Sequence, residues 1–167
     1  MTTRFRLEHT LNTDVVGFWR DIFENESFNE SVYRNALGFR YELLLWDPGT
    51  GTRQAKVWPT ADVPKTLASV MGDSIAFVEE GLYDRGAQRY DFTIVPTTLS
   101  DRIRTRGSVV AVPIDDSTCK RIVEIEIEVR VLGLGRIAES FLETTTREQY
   151  DVNADYANRY LAAQKSA

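Results

Sequence analysis

The sequence predicts an α+β fold: a seven-stranded, curved antiparallel sheet around one long C-terminal helix, in the order β-α-α-β-β-β-β-β-β-α. Three observations carry that prediction. Residues 118–131 alternate, with Val123, Ile125, Ile127, Val129 and Val131 on one side and Glu124, Glu126, Glu128 and Arg130 on the other, the period of a half-buried strand. After Gly133-Leu134-Gly135 the pattern changes to helical spacing through Leu134, Ile137, Ala138, Phe141, Leu142, Thr145, Val152, Tyr156 and Tyr160. Upstream, five further strand-like runs are cut by turn signals, and another opens the chain. The last strand spans roughly 45 Å at about 3.3 Å per residue, and the helix about 40–45 Å at 1.5 Å per residue. Matched lengths across a two-glycine hinge imply that the helix folds back over the sheet.

Taken in order, Arg4–Leu11 is the first strand, with Phe5, Leu7, His9 and Leu11 sharing one face. Asn12-Thr13-Asp14 supplies capping side chains for a short helix with Val15, Phe18, Trp19, Ile22 and Phe23 on its apolar stripe. Ser27-Phe28-Asn29-Glu30 matches a capping box, so a second helix is expected from there to about Leu37, ended by Gly38. Strands follow at Phe39–Asp47 and Thr52–Trp58. Pro59 to Gly72 holds a short helix over Lys65–Met71. Further strands are expected at Ile75–Tyr83, Ala87–Val95 and Arg102–Val112, each closed by Pro, Gly or Asp turn residues. No repeat or low-complexity linker divides the chain, so residues 1–167 read as one domain.

Composition narrows the function classes. A net charge of −5 and a pI near 5.0 argue against nonspecific binding to nucleic acid or to an anionic membrane surface. One cysteine, Cys119, precludes an intrachain disulfide, and one histidine, His9, precludes a His-rich metal site. Arg4, Arg6 and Glu8 interrupt the N-terminus too early for a signal sequence, and no apolar run is long enough to span a bilayer. A cytoplasmic location follows as the expectation. No nucleophile motif, phosphate loop, cofactor fingerprint or metal-ligand spacing is present, and the hinge lacks the third glycine of a dinucleotide site. Hence no catalytic residue, metal or cofactor is expected.

The order of elements, the hinge Val131-Leu132-Gly133-Leu134-Gly135-Arg136-Ile137-Ala138-Glu139 and the proline-led segment Pro59–Gly72 together resemble the START-like (SRPBCC, helix-grip) superfamily. Within it they look like a bacterial branch known only as a domain of unknown function. The resemblance implies a hydrophobic cavity between sheet and long helix, used elsewhere in the superfamily for lipids, sterols, polyketides or plant hormones. It carries over no catalytic motif.

Two kinds of residue could serve such a cavity. The arginines at 102, 104 and 106 resemble an anion-binding strip, but a hairpin turning at Asp116 pairs Arg106 with Glu126 and Arg104 with Glu128. A solvated face of ion pairs is the expected outcome. The aromatics are more informative: Phe18, Trp19, Tyr41, Phe77, Tyr90, Phe92, Phe141 and Trp58 fall on faces expected to look inward. Tyr41, Tyr90, Trp19 and His9, with Glu79 if its strand is phased like Phe77, are the polar candidates for a mostly apolar site. Binding or transport of a hydrophobic small molecule is the leading function. A cyclase- or hydratase-type enzyme using His9 or Glu79, and a protein-interaction domain with a filled core, are the alternatives.

Overall fold

The computed structural model describes residues 2–60, 62–72 and 75–167; Met1, Ala61, Asp73 and Ser74 lie outside the described residues. The chain runs β1 (Thr2–Leu11), α1 (Val15–Gly17, continued by a π turn over Phe18–Phe23), α2 (Glu26–Ser31, continued by a π turn over Val32–Ala36), β2 (Arg40–Asp47), β3 (Thr52–Trp58), α3 (Lys65–Met71), β4 (Phe77–Asp84), β5 (Arg89–Pro96), β6 (Ile103–Pro113), β7 (Cys119–Val129) and α4 (Gly135–Lys165). The strands form one antiparallel sheet in the order β1-β7-β6-β5-β4-β3-β2, so strands consecutive in the chain are neighbours from β2 to β7, with α3 in the connection between β3 and β4, and β1 closes onto the distant β7. This is the α+β architecture that the sequence predicts, a curved sheet gripping a long helix.

The alternation in β7 sets which face is wet. Val123, Ile125, Ile127 and Val129 are buried, while Glu124 and Glu128 lie opposite them. Arg104 faces Glu128 and Arg106 faces Glu126, in the register the turn at Asp116 requires. Glu126 also receives Arg4 from β1, at 2.6 Å, as well as Arg106 at 2.6 Å, so one carboxylate ties three strands on the outer face.

Several expectations need correction. The second helix is not capped at Ser27: Asn25 is the cap, its Oδ1 accepting from Phe28 N at 3.1 Å, and Ser27 lies inside the first turn. Both short helices widen after one or two turns, with Glu24 N bonding Trp19 O at 2.9 Å and Leu37 N bonding Val32 O at 3.0 Å. Such i→i+5 closure is wider than an α-helical turn and changes which side chains share a face. Trp58 faces away from the interior, because Arg53, Ala55 and Val57 hold the buried face of β3; it packs under Arg40 and Lys56 instead.

The long helix seats differently from its expected stripe. Ile137 is 44% exposed, and the buried contacts come from Ala138, Ala154, Ala157 and Leu161. Alanines let the helix axis approach β1 and β7 closely, where a larger side chain would hold it off. Polar bonds fix it along β1: Asn158 Nδ2 donates to Thr10 O at 3.0 Å and Lys165 Nζ to Asn12 O at 3.0 Å. At its start Gly133 takes φ +77°, a left-handed conformation that admits the reversal from β7 into α4. Leu134 follows as the cap residue.

Candidate functional site

The inward rows of the sheet alternate bulk with absence. Across the strands, Arg53, Gly81, Phe92, Gly107, Ile125 and Phe5 are register partners in one row. A Cβ at Gly81 would stand 2.3 Å from the Tyr90 ring, and one at Gly107 would stand 2.4 Å from Phe92. The two glycines therefore let the β5 rings lie down against the sheet. Above them is a cavity of about 220 Å³. Its floor is Glu79, Tyr90, Phe92, Thr105 and Ile125 of the sheet. Phe18, Ile22 and Phe23 of the first π turn and Val32 and Tyr33 of the second close one side. The middle of α4, from Phe141 to Asn153, forms the roof, and Val63 and Ile75 reach in from the 59–75 connection.

Six of the residues singled out in the sequence line this cavity: Phe18, Phe77, Glu79, Tyr90, Phe92 and Phe141. Three do not. Trp19 is buried behind the wall, stacked on Tyr83 at 4.6 Å, because the π turn rotates Phe18 and Ile22 rather than Trp19 to the opening. Tyr41 sits one layer out, stacked on Tyr33 at 4.6 Å and donating to Glu26 Oε1 at 2.5 Å. His9 points inward from β1 as its parity requires, but there α4 covers it. Its Nε2 lies 2.7 Å from Asp151 Oδ1 and its Nδ1 3.1 Å from Arg121 Nη2.

Two buried arginines were missed in the sequence, although both were visible there by parity. Arg53 shares a face with Ala55 and Val57, and Arg121 with Val123 and Ile125. Arg53, 7% exposed, donates from Nη1 to Glu79 Oε1 at 3.2 Å and from Nη2 to Tyr41 Oη at 2.6 Å. Tyr90 Oη donates to the same Glu79 oxygen at 2.8 Å. Burial opposes the charge on Arg53, but Glu79, with Tyr41, Tyr90 and Tyr33 adding to it, outweighs that cost and holds the guanidinium above its ordinary value. Burial, reinforced by the Glu79 charge, pushes the Tyr33, Tyr90 and Tyr150 hydroxyls upward, so all three stay protonated donors.

Arg121, 4% exposed, is held differently. Nη1 donates to Asn153 Oδ1, and Nη2 to the Tyr150 carbonyl at 3.0 Å and to His9. A guanidinium only donates, so His9 Nδ1 must accept and the ring proton sits on Nε2, given to Asp151. Burial holds His9 below its ordinary value despite the Asp151 bond, keeping it neutral near pH 7. Burial also pulls Arg121 down to about 10, which leaves it charged at neutral pH. On the same strand burial pushes the Cys119 thiol up to about 11, an unreactive state. Among the described residues no cluster of His, Cys, Asp and Glu could hold a metal ion, and no helix is long and apolar enough to cross a membrane.

Residues 6–161 match the model of a family described as a protein of unknown function, DUF2505. The chain belongs to that family. No curated protein matches DUF2505's member here in sequence. Solved structures match its fold throughout. Norcoclaurine synthase from Thalictrum flavum, as a point mutant, aligns with TM-score 0.71 at 15% identity, over 99% of this chain and 97% of that one. The Zhui aromatase/cyclase from Streptomyces sp. R1128 aligns with TM-score 0.70 at 10% identity, over 96% and 93%. A START superfamily protein from Mycobacterium smegmatis gives TM-score 0.63 at 12% identity, over 96% and 98%. At these identities the likeness is one of fold, and it places this DUF2505 chain among START-like helix-grip structures.

Proposed function

We propose that this chain is a single START-like domain that binds or carries a small hydrophobic molecule, cytoplasmic as its composition suggests, in the cavity between sheet and α4. One observation carries the reading: an aromatic-walled cavity of about 220 Å³ whose acid–base groups are already engaged. That volume lies below the roughly 300–1,000 Å³ of sites for drug-sized ligands, so the occupant is compact or slender. Glu79 Oε1 accepts from both Arg53 and Tyr90, an ion-paired acceptor rather than a free general base. The His9–Asp151 pair, the natural acid–base dyad, lies outside the cavity wall. Both facts weigh against a cyclase or hydratase acting through these groups, although proteins of that kind share the fold. The open space weighs against a filled interaction domain.

Native mass spectrometry and organic extraction of the purified protein test this. An apolar molecule should co-purify, or an apolar fluorescent probe should be taken up at one site per chain. Protein that carries nothing and takes up no probe would end the carrier reading.

A further inference from the structure

The two buried guanidinium groups on the cavity wall are not equivalent. Arg53 has a carboxylate in contact, Glu79 at 3.2 Å, with Glu26 at 3.8 Å. Arg121 has only neutral partners: the Asn153 amide, the Tyr150 carbonyl and the unprotonated nitrogen of His9. Its Nε–H, fully buried, has no acceptor. The Asp151 carboxylate is separated from it by the His9 ring and is itself largely exposed. A buried cation without a counter-ion in contact is costly, and nothing in the packing of β7 against α4 requires a charge there. The same stretch of cavity wall holds Gln149, one turn before Asn153 on the same face of α4, and its side chain has no hydrogen-bond partner among the described residues. A cation lacking a counter-ion in contact and an idle amide, at one end of a mostly apolar space, form the polar end of an amphipathic site.

We propose that Arg121 anchors an anionic oxygen of the ligand, so that the cavity takes an apolar carboxylic acid with its carboxylate toward β7 and α4 and its carbon body among Phe18, Phe92 and Phe141. The proposal rests on the carrier reading above. The ligand supplies the counter-charge that the fold omits, and a charge-assisted bond formed in a dry site is stronger than one at the surface.

Calorimetric titration of the full chain with octanoate, decanoate and dodecanoate, each against its matched alcohol, tests it. Each acid should bind about tenfold or more tightly than its alcohol, the gain of one hydrogen bond to a charged group. Arg121→Met keeps volume and removes charge, a replacement that buried ions often tolerate; it should abolish the preference, bringing each acid and its alcohol within about twofold of one another in the variant. Decanoate labelled with ¹³C at the carboxyl gives a readout without any variant. Its titration should move to lower pH when bound, because a nearby cation favours the carboxylate, whereas burial alone would move it higher. Equal affinity for acid and alcohol, a preference that survives Arg121→Met, or a carboxyl titrating at higher pH when bound would each overturn the anchor while leaving the cavity reading intact. Uptake of neither series would sink both.

Discussion

The β1–β7 half of the sheet and the β3–β5 half meet the same helix in different ways. On the first, Leu7, Leu11, Val123 and Ile127 are buried and α4 presents Ala154, Ala157 and Leu161, small enough for the backbones to close up. On the second, α4 presents Phe141, Thr145 and Gln149 across an open space, which is the cavity, and Asn153 at its edge bonds Arg121 of β7. Helix and sheet diverge because one side of α4 is trimmed to methyl groups and the π turns of α1 and α2 prop up the other. Asn25 Nδ2, bonded to Tyr160 Oη at 3.0 Å, and Ser31, bonded to Tyr156, fasten that prop to α4. Close packing and open space are thus assigned to opposite halves of one layer.

The sharpest way to break this contrast is to truncate one residue in each half. Leu11→Ala, in the close-packed half, should cost about 2–5 kcal/mol. Phe141→Ala should cost clearly less than the about 3–5 kcal/mol of a phenylalanine in a filled core, since one side of the ring already faces open space. The same Phe141 variant should change affinity for an apolar probe, and Leu11→Ala should not. Denaturant unfolding and probe titration read both, and equal costs would mean the halves are packed alike.

A smaller effect is expected from pH. His9 faces Arg121 on β7 and Asp151 and Asp155 on α4, and burial holds it below its ordinary value of about 6.5. The unfolded chain therefore binds the extra proton first, so this contribution to stability is complete above about pH 6.5 and is lost as the pH falls through the depressed value. Protonation would also turn Nδ1 into a donor facing the Arg121 donor. The urea midpoint of the wild type should fall from about pH 7 to about pH 5, and His9→Gln should flatten that slope. Matching slopes in the two proteins would remove His9 from the account. Smallest of all is the outer face. Arg106→Ala should leave both the unfolding midpoint and probe affinity unchanged, because exposed ion pairs contribute little. Loss of probe binding there would move the site to the convex side.

Much of this was legible from residue order. Period-2 parity gave the wet and dry faces of β7 and its register with β6, and the turn residues gave the strand count. Parity also placed Arg53 and Arg121 inward, but a charged residue in an apolar row is ordinarily discounted, and only tertiary partners show how it is accommodated. The π turns left no local mark: the i, i+3, i+4 spacing of Val15 to Phe23 reads as an α-helix, and the widening that separates Phe18 from Trp19 depends on what packs around it. On α4 the lining was legible only in part. Phe141, Leu142 and Thr145 belong to the expected stripe and line the cavity, but Gln149 and Asn153 look like a solvent face and line it too, whereas Ile137, from the same stripe, is 44% exposed. Hydrophobic periodicity finds the side of a helix that fills space and passes over the side that leaves it empty.

Gly81 and Gly107 carry a consequence for how such a protein changes over generations. Each holds an aromatic ring flat only because a single methyl group is missing beneath it. A glycine-to-alanine change at Gly81 would push the Tyr90 ring off the sheet toward the cavity, and one at Gly107 would push Phe92 and press on the Glu124 carbonyl as well, so either would shorten the space. The size of the cavity is therefore adjustable in one-residue steps from below its floor, and homologous chains that differ at these two positions should differ in the length of that space.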